Sequence, residues 1–488
     1  MPRCPRRAVR SLLACALVAA LMLAVAPAPA SALDRSWASP PIDRSKALPL
    51  RGLAPAALFP AGYQGPLTSL TNSGRLVTDD FALYYLWVFP GQTLDIRVKT
   101  STDFVLLLLN ETTDLVAASD DVVAGTERIV YTNTDHFTGP QVMFIGVGAV
   151  VGGPYTLTVS MTDAPTDPAL KRLWGADRYQ TAVQVSQDAF PEGADTVVIA
   201  TGANFPDALS AAGLCGVCDA PLLLVPRDTL PAVVSAEIDR LGATRAFIVG
   251  GTGAVSSAVV YELQKKPALA GDGAIIRVAG PDRYMTAIQV AQRMRSEVGT
   301  DLPNAIVVCG TQFPDALSAS PLAFADKRPI LLTPSTYAHP QMLEALTSIG
   351  ATDAVIVGGT GVVYDAVKRV IENRLGHTIA RWAGLTRFDT AAVVAENSVE
   401  AGILSREYIG YAWGRGFPDG LAGGVAAGRC GGALLLTESY VEPEAMQAYN
   451  MESAALSDVA AARVFGGPGV IWGNVLGMID DDLWGSVP

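Results

Sequence analysis

Short, continuous apolar runs recur through the C-terminal two thirds of the chain, separated by stretches with a helical period. In one stretch the runs are Ile275 to Ala279, Ala305 to Cys309, Pro329 to Thr333 and Ala354 to Gly358. Between the first two, Ala287, Val290, Ala291 and Met294 fall at i, i+3, i+4 and i+7, the spacing of one helix face. Strands apolar on both faces and separated by helices predict a parallel sheet covered on both sides, a doubly wound α/β unit. Nearer the start, from about Gly65 to Met161, the period is two. Leu94, Ile96 and Val98 alternate with Asp95, Arg97 and Lys99, and Leu157, Val159 and Met161 alternate with Thr156, Thr158 and Ser160. Pro90-Gly91-Gln92 parts Phe81 to Phe89 from Thr93 to Lys99 as a hairpin connection would. With Phe104 to Leu109, Arg128 to Thr132 and Val142 to Val147, these runs predict a small antiparallel β-sandwich.

The α/β pattern occurs three times. GADRYQTA begins at Gly175, GPDRYMTA at Gly280 and GLTRFDTA at Gly384. ANFPDALSA, TQFPDALSA and RGFPDGLAG follow, with Asp207, Asp315 and Asp419 in register. Then come APLLLV, RPILLT and GALLLT, and last AFIVGGTGAVS, AVIVGGTGVVY and ARVFGGPGVIW, whose paired glycines start at 250, 358 and 466. Four motifs in one order three times set the organisation. Residues 168–271, 272–375 and 376–488 are the three repeats, after a sandwich over 66–163 and a Pro- and Ala-rich lead-in over 33–65.

The motifs fall just after strands and at helix starts, the edge of an open α/β sheet where ligands bind. Each FPD places Pro206, Pro314 or Pro418 in a first helical turn and an Asp at the positive end of the helix, so capping accounts for both residues without a ligand. The arginines are different. Each copy holds two, six apart: Arg172 with Arg178, Arg277 with Arg283, and Arg381 with Arg387. One reading pairs the second arginine with the aspartate of its own copy in a half-buried bridge. The other has the guanidinium fork holding phosphate or carboxylate of a polymer. On that second reading Arg172, Arg178, Arg277, Arg283, Arg381, Arg387, Asp207, Asp315 and Asp419 are the ligand-binding residues. The Gly-Gly-Thr-Gly turns lack GxGxxG and GxxxxGK[ST], which leaves a dinucleotide or triphosphate site weak support; glycine there reads as close strand–helix packing.

Composition narrows the chemistry. Met1 to Arg10 carries four arginines, Ser11 to Ala26 is nearly all apolar, and Ala30-Ser31-Ala32 closes the segment: a secretory leader over 1–32, with secretion to the cell surface expected. The 488 residues carry a formal net charge of −12, or −16 without those arginines, which opposes nonspecific binding to nucleic acid or anionic membrane. No later stretch reads as a membrane span. The three histidines, His136, His339 and His377, are far apart, so no metal site and no cofactor is expected. Beyond the leader only Cys215, Cys218, Cys309 and Cys430 remain, and Cys215-Gly-Val-Cys218 reads as a local disulfide or as two reduced thiols.

DRYxTA, FPDAL, PILLT and IVGG, repeated at this interval, closely resemble the cell-wall-binding repeat of type 2 family of Gram-positive surface proteins. The resemblance implies three Rossmann-like modules in a pseudo-threefold arrangement within one chain, attached noncovalently to an anionic secondary polymer of the wall. It also implies an anchoring role for Leu222 to Leu224, Ile330 to Leu332 and Leu434 to Leu436, which read physically as buried strands. The front domain, with FALYYLWVFPGQTLDIRV, DFVLLLLN and GGPYTLTVSM in that order, resembles the bacterial pre-peptidase C-terminal-like domain, some members of which would bind calcium at positions like Asp120 and Asp121; solvated loop acids are the other reading. The third repeat departs from the pattern at Thr386, Gly420 and Pro468, and its closing helix, through Gly473 and Gly477, is weak, so a degenerate third site is expected. The competing function is a wall hydrolase, since many relatives are named N-acetylmuramoyl-L-alanine amidases. Such an amidase needs zinc ligands that three scattered histidines do not supply. An anchor rather than an enzyme is therefore expected, and the partner of the sandwich is left open.

Overall fold

The computed structural model describes strand segments between residues 56 and 162, then residues 167–485 except 457 and 458. The leader, Asp120 and Asp121 lie outside the described residues. The chain divides into two units, Met1–Pro165 and Thr166–Pro488.

Among the described residues of the first unit nine strands form two sheets: β1 (Ala56–Ala57), β3 (Phe81–Val88), β8 (Gln141–Ala149), β5 (Phe104–Leu109) and β6 (Leu115–Ser119) in one, and β2 (Ser69–Leu76), β9 (Gly153–Thr162), β4 (Thr93–Thr100) and β7 (Thr126–Thr132) in the other. All ladders are antiparallel except β1 with β3, so the stretch read as a lead-in contributes a strand. The alternation in β4 does what its period requires: Leu94, Ile96 and Val98 are fully buried.

The second unit holds three four-stranded parallel sheets. Module 1 orders β12 (Leu222–Val225), β11 (Thr196–Thr201), β13 (Arg245–Val249) and β14 (Ile275–Val278). Module 2 orders β16 (Ile330–Thr333), β15 (Asn304–Cys309), β17 (Asp353–Val357) and β18 (Ala380–Trp382). Module 3 orders β20 (Gly432–Thr437), β19 (Ser405–Trp413), β21 (Ala461–Phe465) and β10 (Leu170–Leu173). Each fourth strand belongs by sequence to the following repeat. The strand that opens repeat 2 completes the sheet of repeat 1, the one that opens repeat 3 completes repeat 2, and β10, at the front of repeat 1, closes repeat 3 through Leu170↔Ala462 to Leu173↔Phe465. The repeats are thus cyclically interleaved, whereas the apolar runs alone place all four strands in one copy.

The helices that follow FPD meet one another: α3 (Ala211–Cys218), α7 (Pro314–Ala325) and α11 (Pro418–Arg429) contact pairwise. Small residues permit it. A Cβ on Gly424 would stand 2.6 Å from Ser320 Cβ, and one on Gly216 would stand 2.1 Å from Phe324 O. The four cysteines among the described residues are free, Cys215 buried and Cys218 half-buried at the end of α3, so the CxxC pair is two thiols. Gly473 and Gly477 do not break the closing helix, α13 (Gly473–Trp484); burial of Val475 and Ile479 holds it.

The three Leu/Ile-rich motifs are strands with every residue buried, Leu223 and Leu331 completely. Replacing Leu331 by Ala is expected to lower unfolding free energy by about 2–5 kcal/mol, measured by denaturant titration. Loss of wall attachment in such a variant without loss of stability would instead give the strand a direct role.

Candidate functional site

The DRY motif is first a helix start. Asp177 caps α1 (Arg178–Ala189) by accepting from the Tyr179 and Gln180 amides, and Asp282 caps α6 (Arg283–Val298) through the Met285 amide. In repeat 3 Thr386 caps α10 (Arg387–Glu400) in a reciprocal box with Asp389, so the departure from Asp conserves the capping function. The threonine six residues after the glycine is the second part: Thr181, Thr286 and Thr390 are buried, and each Oγ1 accepts from the Gly175, Gly280 or Gly384 amide at 3.1–3.2 Å. A Cβ at these glycines would lie 2.2–2.4 Å from the Cβ of residue 180, 285 or 389, which is why glycine stands there.

These parts meet their partners across repeats. The Thr286 hydroxyl bonds to Asp207 and Arg283 sits near that carboxyl; Thr181 bonds to Asp419 with Arg178 nearby; Arg387 faces Asp315. The bridge within one copy is not what forms. Each second arginine instead donates from Nη1 to a strand-end carbonyl of its own repeat: Arg178 to Gly202, Arg283 to Gly310 and Arg387 to Gly414. Arg178 lies over the Phe417 ring (5.7 Å to its centroid) and Arg283 over Phe205 (5.9 Å). Phe205, Phe313 and Phe417 themselves form a triangle with centroids 5.7, 5.7 and 6.1 Å apart.

The first arginines complete the same junctions. Arg172 Nη1 donates to the Gly466 and Ile471 carbonyls, Arg277 Nη1 to Gly250 O, and Arg381 Nη1 to Gly358 O, with Arg381 Nη2 on Asp365 at 3.1 Å. Those three glycines have φ of 115–123°, and a Cβ on any of them would come within 2.9 Å of Oδ2 of Asp207, Asp315 or Asp419. The first glycine of each GG pair therefore makes room for a carboxylate and a left-handed turn, rather than for strand–helix packing.

Nine expected residues thus assemble into three equivalent junctions of two arginines and one aspartate. Arg277, Arg283 and Asp207 join repeats 1 and 2; Arg381, Arg387 and Asp315 join repeats 2 and 3; Arg172, Arg178 and Asp419 join repeats 3 and 1. Because each junction draws on two repeats, the departures of repeat 3 are shared: Thr386 lies at one junction, Gly420 and Pro468 at another. Sequence reasoning missed Thr181, Thr286 and Thr390, whose only signal was the fixed T of DRYxTA.

Burial pushes the Asp315 and Asp419 carboxyls up to about 6 and raises Asp207, with the neighbouring arginine opposing in each case. The second arginine of each pair is the more outward one: Arg178 and Arg387 are exposed and Arg283 is half-buried, whereas Arg172, Arg277 and Arg381 are all half-buried. Each guanidinium has five donors. Such forks, set beside aspartates whose burial disfavours their charged form, can hold oxyanions of a chain-like ligand. Among the described residues no three metal-ligating side chains converge, and no helix is long and apolar enough to cross a membrane.

The fold and junctions define a class: three interleaved α/β modules presenting repeated cationic sites. The cell wall binding domain 2 (CWB2) profile matches residues 172–260, 277–368 and 381–476, and the chain belongs to that family. It is 31% identical over 281 residues to the Bacillus subtilis N-acetylmuramoyl-L-alanine amidase LytC, a match spanning 58% of this chain and 53% of that one. It is 28% identical over 287 residues to the amidase enhancer of the same organism, spanning 58% and 37%. The chain therefore matches about half, or less, of the length of these curated relatives, and the LytC match falls in the binding repeats. Cwp6 from Clostridium difficile superposes with a TM-score of 0.57 at 19% identity, covering 84% of this chain and 68% of that one; Cwp8 gives 0.55 at 24%, covering 65% and 52%. The CWB2 modules make this a cell-wall-binding protein.

Proposed function

We propose that the chain is exported and attaches noncovalently to an anionic polymer of the cell wall through the three inter-repeat junctions, carrying its β-sandwich with it. The observation behind this reading is the threefold recurrence of an outward arginine fork, each built by two repeats of a CWB2 array. Three modest sites on one rigid body bind a repeating polymer far more tightly than one, because the second and third contacts form at high effective concentration.

Purified protein is expected to sediment with isolated walls and to be released when their phosphate-linked polymers are extracted; sedimentation indifferent to extraction rejects the polymer. Replacing Arg178, Arg283 and Arg387 together by Ala is expected to weaken attachment more than it lowers the melting temperature, although each loses a backbone bond and its place beside a buried aspartate, and Arg178 and Arg283 also lose a ring contact. Unfolding of that variant would assign the arginines to structure. Attachment rather than cleavage is the proposed role, so peptidoglycan incubated with the protein, with or without zinc, is expected to yield no soluble muropeptides.

A further inference from the structure

The turn after each GG motif runs from the junction to a second feature. Its last residue donates its amide to the loop beyond the second strand: Ser256 to Arg227 O (2.8 Å), Tyr364 to Ser335 O (2.9 Å) and Trp472 to Ser439 O (2.7 Å). This bond fixes two loops side by side at the carboxyl edge of each of the three parallel sheets. What they present differs. In module 3 the Tyr440 and Trp472 rings lie 6.0 Å apart, tilted by 53°, beside an exposed Val441. In module 2 Tyr337 and Tyr364 occupy the same two loops, exposed by 57% and 45%. In module 1 the loops carry Ser256 and an exposed Arg227–Asp228 pair instead.

The aromatic positions are continuous with the junctions. Arg172 bonds to Ile471, the neighbour of Trp472, and Arg381 bonds to Asp365, the neighbour of Tyr364. At the other end of the module 3 turn a Cβ on Gly467 would stand 3.0 Å from the ring of Trp174, a residue 48% exposed. Neither Tyr364 nor Trp472 caps its helix with a side-chain bond, so helix formation does not account for the rings.

We propose that modules 2 and 3, and not module 1, carry sugar-stacking platforms at Tyr337 with Tyr364 and at Tyr440 with Trp472, which take pyranose rings of the polymer whose anionic groups lie on the exposed arginines of the adjoining junctions, Arg387 and Arg178. The inference rests on the polymer reading above. A pyranose offers an apolar C–H face with a polar rim, and Tyr and Trp offer an apolar face with a polar edge, so the two surfaces match without burying an unpaired group. The placement beside a guanidinium selects a charged glycan over an apolar partner.

The test uses the full chain and the wall polymer released by mild acid, titrated at several salt concentrations. Tyr337→Ala with Tyr364→Ala, both at exposed positions, is expected to keep the melting temperature and to weaken binding roughly tenfold at every salt concentration, leaving the salt slope unchanged. The Arg178/Arg283/Arg387 triple alanine variant is expected to reduce the slope itself. Unchanged affinity in the tyrosine variant, or a slope altered as by the arginines, overturns the platform while wild-type binding still upholds the polymer reading. Failure of the unmodified protein to bind the polymer overturns both, and is read separately.

Discussion

A chain beginning at Gly175 is expected to be far less stable than one beginning at Thr166, although only nine residues separate them. Those residues include β10, the edge strand of module 3, which comes from the opposite end of the repeat array and pairs over Leu170–Leu173 with β21. Leu170 and Leu173 are 6% and 4% exposed, and their burial contributes about 3–6 kcal/mol at the usual value per large apolar side chain. Removing the strand also uncovers the ladder of β21, takes away the two carbonyl bonds of Arg172, and frees Asp188 from Lys171 while leaving Arg463 on it. The loss approaches the whole stability of an ordinary domain.

Differential scanning calorimetry of the two truncated chains checks this. The longer one should unfold in a single cooperative transition, because every module shares a strand with its neighbour. The shorter should lose several kcal/mol and show module 3 melting first. Equal melting temperatures would mean that the cyclic closure contributes nothing and that each repeat is an independent fold. The same logic holds for a fragment of residues 272–375, which carries β14 without its sheet and a sheet without β18, and is expected not to fold.

How much of this could be read from the chain divides at the same place. Strand identity was legible because apolar runs such as Ala305 to Cys309 are central strands covered on both faces, and Ala305, Ile306, Val307 and Val308 are fully buried. The sandwich was legible in the period of β4. Sheet membership was not, because hydrophobic period records that a strand is buried and not which neighbour it pairs with; β14 has the same pattern whether it lies in its own repeat or the one before. The site followed the sheets. Register placed Arg283 near FPD, but the cyclic exchange set it against Asp207 rather than Asp315, and no spacing within a copy carries that information. The capping role of Asp177 and its replacement by Thr386 belong to local chemistry and were readable in kind, since Asp and Thr are both good N-caps.

The buried aspartates give the junctions a pH dependence that opposes the common expectation for ion pairs. Asp315 and Asp419 are held near 6 in the folded chain, against an ordinary carboxyl value of 3.8, because burial disfavours the charged form more than Arg387 and Arg178 favour it. Between these two values the folded state binds more protons than the unfolded one, so stability falls as pH rises through the window and is level above it. A shift of that size corresponds to roughly 3 kcal/mol per carboxyl, to order of magnitude. In Asp315→Asn with Asp419→Asn the unfolded chain no longer gains from ionising these groups. The double variant is therefore expected to lose most relative to wild type at pH 4, and to recover by several kcal/mol toward pH 7.5. Denaturant titrations of both proteins at pH 4, 5, 6 and 7.5 check the sign. A difference that grows instead toward neutral pH would show that the aspartates are ionised and paired at the junctions, with the arginines engaged by them rather than turned to a ligand.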